Sequence, residues 1–352
     1  ADAISVALNA RTINGLGGQV SLTAAESLSV QGNGGSDTVT LTELGLSSEF
    51  DTTSLSVTGG SLTVEGTAGD ETISVSPTAA GAGSFSEADA GPAVDYSGFD
   101  TATTFDGNGG FDVLVVNGND AADTVTSTAS TLTIKGGELT LADLDRLELN
   151  TGGGDDNIDL DLQASSLEKV VNSGTGDDVV DASGAIDATI NGGDGDDLLV
   201  GSPVGDLING QSGDDTIDGG AGDDLLFGGN GNDAISGGLG ADQLSGQAGN
   251  DDLSGNAGVD SLFGGDGSDE INWISGDGND VVQGGDGADV LDVDFTAGAD
   301  TITINSVPAS GTDFLRVQVG DGTDQVDVAG IEDLDVDLAA GADDKALAAF
   351  AG

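Results

Sequence analysis

Nine aspartates recur at an interval of nine residues: Asp197, Asp206, Asp215, Asp224, Asp233, Asp242, Asp251, Asp260 and Asp269. Two places after each stands an apolar residue (Leu199, Ile208, Ile217, Leu226, Ile235, Leu244, Leu253, Leu262, Ile271), and five places before each stands a glycine, from Gly192 to Gly264. The fourth position of each unit is also glycine, Val204 being the exception. A single aspartate in such a setting is read as a turn residue bonded to its own backbone. Nine in register, with no Asn or Ser among them, are read instead as an array of carboxylate ligands.

Elements that could hold such an array follow from the interval. A nine-residue unit is too short for a helical hairpin, and its glycines each cost a helix about 1 kcal/mol, so helix is excluded. Only the last three residues of a unit, such as Thr216-Ile217-Asp218, can be strand, with the middle side chain pointing into a core. The first six must turn, which glycine allows at positive φ. Two turns and two short strands close a flat coil, and stacked parallel coils place repeats n and n+2 above one another. Asp197, Asp215, Asp233, Asp251 and Asp269 then line one edge, and Asp206, Asp224, Asp242 and Asp260 the other. Carboxylates stacked about 4.8 Å apart repel unless a cation lies between them. A hard cation with six to eight oxygen ligands fits, and calcium suits a mixed carboxylate and carbonyl set better than magnesium.

These residues resemble the repeats-in-toxin (RTX, haemolysin-type) family of calcium-binding β-rolls, whose repeat is Gly-Gly-x-Gly-x-Asp-x-apolar-x. The resemblance implies several calcium ions held between coils by the sixth-position aspartates and backbone carbonyls, and export from the cell. It extends to flanking repeats that keep the frame: Ser173–Asp181 with Asp178, Ser275–Gln283 with Asp280, and Gly284–Asp292 with Asp289. The insertion Trp273-Ile274 shifts the frame between Asp269 and Asp280, which predicts a bulge and the loss of one ion site.

Composition narrows the class. The 352 residues include 64 acidic and six basic ones, a formal net charge of −58, so self-repulsion opposes compaction unless cations bind. About ten divalent ions would offset about a third of that charge. The absence of Cys and His removes disulfides, thiolate sites and the commonest zinc ligand and acid/base group. No G-x-S-x-G or H-E-x-x-H sequence occurs. Apolar runs such as Val113-Leu114-Val115-Val116 are far shorter than the roughly 20 residues of a membrane span. Lys135, Lys169, Arg146 and Arg316 form no basic stripe, which excludes nucleic acid. An opening Ala1-Asp2-Ala3 in a chain without Met agrees with removal of an export signal, and the absence of any N-x-[ST] sequon with a bacterial surface protein.

Three near misses are read structurally. Asp333, Asp335 and Asp337 imitate the start of an EF-hand loop, but Leu338 stands where that loop needs Gly, so they read as an alternating strand. The acid pairs Asp155-Asp156 and Asp177-Asp178 could serve a β-helical glycosidase or lyase, yet they recur wherever the turn recurs. Trp273 reads as a plug over the bulged core rather than a sugar-stacking ring.

Looser copies of the unit precede and follow the tandem block, for example Gly118–Thr126 and Thr151–Asp159, and alternating stretches such as Leu132-Thr133-Ile134 lie between them. The fold class expected is all-β, a parallel β-roll or β-solenoid with irregular β-rich flanks. Residues 1–190 form an irregular solenoid-like region, 191–292 the calcium-binding β-roll, and 293–352 a closing β segment whose Ala-rich tail suggests a short capping helix. The function expected is a calcium-dependent, non-enzymatic extracellular structural protein that self-assembles into a surface layer, matrix or filament. The alternative is a calcium-triggered folding and export module of a larger secreted enzyme or adhesin. A homo-polymer is the partner expected first, a cell-surface polysaccharide second.

Overall fold

The computed structural model describes residues 111–163, 166–274 and 278–295 continuously. Elsewhere it describes individual strands, with side chains at only a few positions such as Phe105 and Val328. The elements described are β-strands, thirty-six in all, in a parallel β-solenoid. The chain divides into two compact units, Ala1–Gly174 and Thr175–Gly352.

In the second unit the nine-residue sequence period becomes an eighteen-residue coil. Leu198, Thr216, Ala234, Asp252, Glu270 and Val290 are successive in-register partners in one parallel sheet. Thr189, Leu207, Leu225, Gln243, Ser261 and Val281 are successive partners in the other. The eighth-position side chains point inward from both sheets: Leu199, Leu226, Leu244, Leu253 and Ile271 are fully buried and Ile217 nearly so. Burying each such side chain contributes about 1.5–3 kcal/mol, so the unbroken apolar row is what holds each coil flat against the next.

Leu198–Val200 is a three-residue strand, but most later strands of the roll are longer. Thr216–Ala221 and Ala234–Gly240 continue into the turn, because Gly220 pairs with Gly238 and Ala221 with Leu239. A turn stacked on an identical turn keeps parallel pairing, so the left-handed backbone at Gly220 and Gly222 (φ 95° and 118°) lies beside or within the ladder. The insertion Trp273-Ile274 does not interrupt the stack: Glu270–Ile274 pairs with Val290–Phe295 without a register break.

The first unit reaches the same stacking with longer coils. Val113–Asn119 runs parallel to Arg146–Gly153, and Thr124–Thr128 parallel to Asn157–Asp159, at a separation of 33 residues between Asp123 and Asp156. The extra length is an antiparallel excursion, Thr124–Thr128 to Thr131–Ile134 to Gly137–Ala142. Its second turn is the two-residue hairpin Lys135-Gly136, both at positive φ, as a type I′ turn requires. Phe105, Leu114, Val116, Val125, Leu132 and Ile134 are fully buried in this core.

At the C-terminal side Asn279–Gly287 pairs with Asp324–Ala329 and Val290–Phe295 with Asp333–Leu338. The EF-hand look-alike residues thus lie on a strand. Asp344–Leu347 is also a strand, paired in parallel with Thr301–Pro308, where the Ala-rich composition suggests helix; sheet pairing outweighs a propensity of a few tenths of a kcal/mol per residue. Residues 339–343 and 348–352 lie outside the described residues. The N-terminal strand Ala3–Ala7 is paired on both sides, with Thr12–Asn14 and Thr38–Thr42.

Candidate metal centre

Each sixth-position aspartate is buried where turn meets strand; Asp215, Asp242, Asp260 and Asp269 are 1% exposed. One oxygen has a structural task. The amide of Asp197 donates to Asp215 Oδ1 at 2.9 Å, that of Asp215 to Asp233 at 2.9 Å, that of Asp233 to Asp251 at 2.9 Å and that of Asp251 to Asp269 at 3.0 Å. On the opposite edge Asp206, Asp224 and Asp242 donate to the next aspartate at 2.7–2.8 Å. Carboxylates therefore bond to the neighbouring coil rather than to their own turn.

The other oxygen is left over. Oδ2 of Asp197, Asp215, Asp224, Asp233, Asp242, Asp251 and Asp269 is buried and accepts no hydrogen bond. It faces the first-position glycine of its own repeat. A Cβ on Gly219 would lie 2.6 Å from Asp224 Oδ2 and 2.7 Å from the carbonyl of Gly237 on the next coil. On Gly237 it would lie 2.6 Å from Asp242 Oδ2 and 2.8 Å from the Gly255 carbonyl. Neither glycine has positive φ. The first-position glycine is therefore required for space, and the space is an oxygen-lined cradle between coils.

Electrostatics point the same way. Burial, opposed in part by the hydrogen bond to the previous coil, pushes Asp197 and Asp233 up to about 7 and Asp215, Asp224 and Asp251 up to about 6. Asp206, Asp242 and Asp269 are raised for the same first reason. Carboxylates stacked above and below add to the shift at Asp197 and Asp233. A buried anion with an unshared oxygen calls for a positive charge. Among the described residues no three acidic side chains converge on one point, so an ion in a cradle would need its remaining ligands from backbone carbonyls. That donor set, few carboxylates and several carbonyls, is hard and flexible, and fits calcium.

The sequence profile of the RTX calcium-binding nonapeptide repeat (4 copies) matches residues 201–235, 236–271 and 274–295. The chain carries RTX repeats. No curated protein matches it. The matched spans coincide with stacked turns of the second unit.

The structure brings the expected residues into two columns. One runs from Asp178 through Asp197, Asp215, Asp233, Asp251 and Asp269 to Asp289. The other runs Asp206, Asp224, Asp242, Asp260 and Asp280. Two members differ from the rest. Asp206 Oδ2 accepts from the Ser202 amide at 2.5 Å, and Asp280 Oδ2 accepts from Trp273 Nε1 at 2.7 Å. Trp273 is buried at 3% exposure, which removes it from any role in stacking on a sugar. The interval alone could not expose this difference, because it does not show which way a peptide or an indole N–H points.

Proposed function

We infer that the chain is a calcium-dependent, non-enzymatic extracellular structural protein, its ions held in the two aspartate columns. The observation that carries this reading is the row of buried, unshared Oδ2 atoms facing glycine cradles. Calcium would supply the positive charge and high coordination number that the cradles demand. Asp197, Asp215, Asp224, Asp233, Asp242, Asp251 and Asp269 would act as ligands, with Asp178, Asp260 and Asp289 continuing the columns. The first-position carbonyls complete each cradle, and the buried leucine and isoleucine rows hold the coils at the required spacing. Without a cation the columns are stacks of buried like charges, so folding of the roll and metal binding are one event.

Self-assembly is supported by the charge distribution of the roll. In a chain of net charge −58, the seventh and ninth repeat positions along the sheet from Leu207 to Gln283 carry no charge and expose Leu207, Phe263 and Val281, whereas Asp266 is exposed where a strand of that sheet runs into its turn. The outward positions of the opposite sheet include Asp218, Asp252 and Glu270. A like-charged copy can approach only through an uncharged surface. Among the described residues no helix is long and apolar enough to cross a membrane. Light scattering and electron microscopy of the purified chain across calcium concentrations test the assembly; polymers or sheets that form with calcium and dissolve in chelator are expected. A strict monomer at millimolar calcium would favour a folding and export module instead.

A further inference from the structure

Among the described turns of the tandem block, the second position separates the open slots from the one at Asp206. It is at positive φ in Gly193, Gln211, Gly220, Gly229, Gly238, Gln247 and Gly265, the turns whose aspartates (Asp197, Asp215, Asp224, Asp233, Asp242, Asp251, Asp269) keep an unshared Oδ2. Ser202, at the same position, is outside the left-handed region, and its amide is turned inward onto Asp206 Oδ2. The Ser202 hydroxyl adds a bond to Asp206 Oδ1 at 3.0 Å. In the turn of Asp280 the inserted Trp273 supplies the inward N–H.

A looser repeat in the first unit repeats the arrangement independently. In Gly118–Thr126 a Cβ on Gly118 would meet Asp123 Oδ2 and the Thr151 carbonyl, and Asp123 donates its amide to Asp156 Oδ1 at 2.7 Å. This is the cradle of the RTX turns. Its second-position residue, Asn119, is again outside the left-handed region, and the Asn119 amide donates to Asp123 Oδ2 at 3.2 Å. The Lys135 ammonium stands 3.4 Å from the same oxygen, delivered from a hairpin turn where Lys135 itself is held at φ 51°, a conformation unusual for lysine.

We propose that the chain's own donors take a cation's place at three aspartates: the Ser202 amide at Asp206, the Trp273 indole at Asp280, and the Asn119 amide with the Lys135 ammonium at Asp123. The inference rests on the calcium reading of the open cradles. Asp206 and Asp280 are the two ends of one column, so that column is closed at both ends and loads ions only between them. The column through Asp197 and Asp269 has no such closure at those members. The two edges of the roll therefore carry unequal loads, and the closed turns need no calcium to stay folded.

Native mass spectrometry of the full chain, which resolves single bound calcium ions, tests this. Asp206→Asn and Asp280→Asn remove the charge and one of two accepting oxygens, but no ion ligand, and are expected to bind as many ions as the unaltered chain. Asp233→Asn is expected to lose at least one. Trp273→Phe and Ser202→Gly, which withdraw the internal donor or free the second position, are each expected to gain one. A lower count for Asp206→Asn or Asp280→Asn overturns the proposal, even if Trp273→Phe fails to fold. An unaltered chain that binds no calcium overturns the underlying reading, and this proposal with it.

Discussion

Asp233, at the centre of its column, separates the two tasks of one carboxylate. Asp233→Ala removes the hydrogen bond that Oδ1 accepts from the Asp215 amide at 2.9 Å, worth about 1.5–3 kcal/mol for a charged acceptor. It also removes a ligand; loss of one ion costs about 2.7 kcal/mol when free calcium is a hundred times its dissociation constant. The alanine variant should therefore be less stable by about 4–6 kcal/mol in calcium, the sum of those two contributions. Asp233→Asn retains an oxygen for the Asp215 amide and should lose only the ion's share, about 2.7 kcal/mol. In chelator the order should reverse, because Asp233 is pushed up to about 7 by burial and must ionise in a dry slot as pH rises, whereas the asparagine variant has no charge to bury. Urea unfolding followed by far-UV circular dichroism measures the first pair of values, and a pH titration in chelator the second. Equal losses for both variants in calcium, or an asparagine variant that loses structure at lower pH than the parent in chelator, would refute the division of labour.

The raised carboxylates also predict the pH dependence of the metal-free protein. Their folded values, about 6 to 7 for Asp197, Asp215, Asp224, Asp233 and Asp251, exceed the ordinary aspartate value of 3.8, so the folded state holds more protons between these limits. Stability without calcium should be fully present below about pH 4 and lost as pH rises through 6 to 7; a metal-free β signal that strengthens over that range would contradict this. Gly219→Ala introduces no positive-φ strain but places a methyl 2.6 Å from Asp224 Oδ2, so calcium affinity should fall at that turn, and isothermal titration should show weaker or fewer sites. Unchanged binding would mean that the cradle is not the ion's place.

Much of this architecture was legible because the apolar and aspartate rows share one period, which fixes coil length, core and edges together. The reading of the glycines was incomplete: positive φ accounts for Gly220 and Gly222, but Gly219 is needed for room against Asp224 and Gly237, a contact between coils that no local pattern reveals. The bond from each aspartate to the preceding coil was hidden for the same reason. In the first unit the hairpin Thr131–Ile134 and Gly137–Ala142 has the same alternation as a parallel rung, so sequence cannot tell an antiparallel excursion from another coil. Trp273 was placed correctly as a core plug, but its N–H on Asp280 depends on how the insertion folds back.

The central claim is that calcium in the aspartate columns drives folding of the roll. Its most direct test is far-UV circular dichroism of the chain at pH 7.5 with excess chelator and again at millimolar calcium. The account predicts a largely disordered spectrum in chelator that converts to a β spectrum as calcium is restored. A β spectrum of equal strength in both conditions would contradict it.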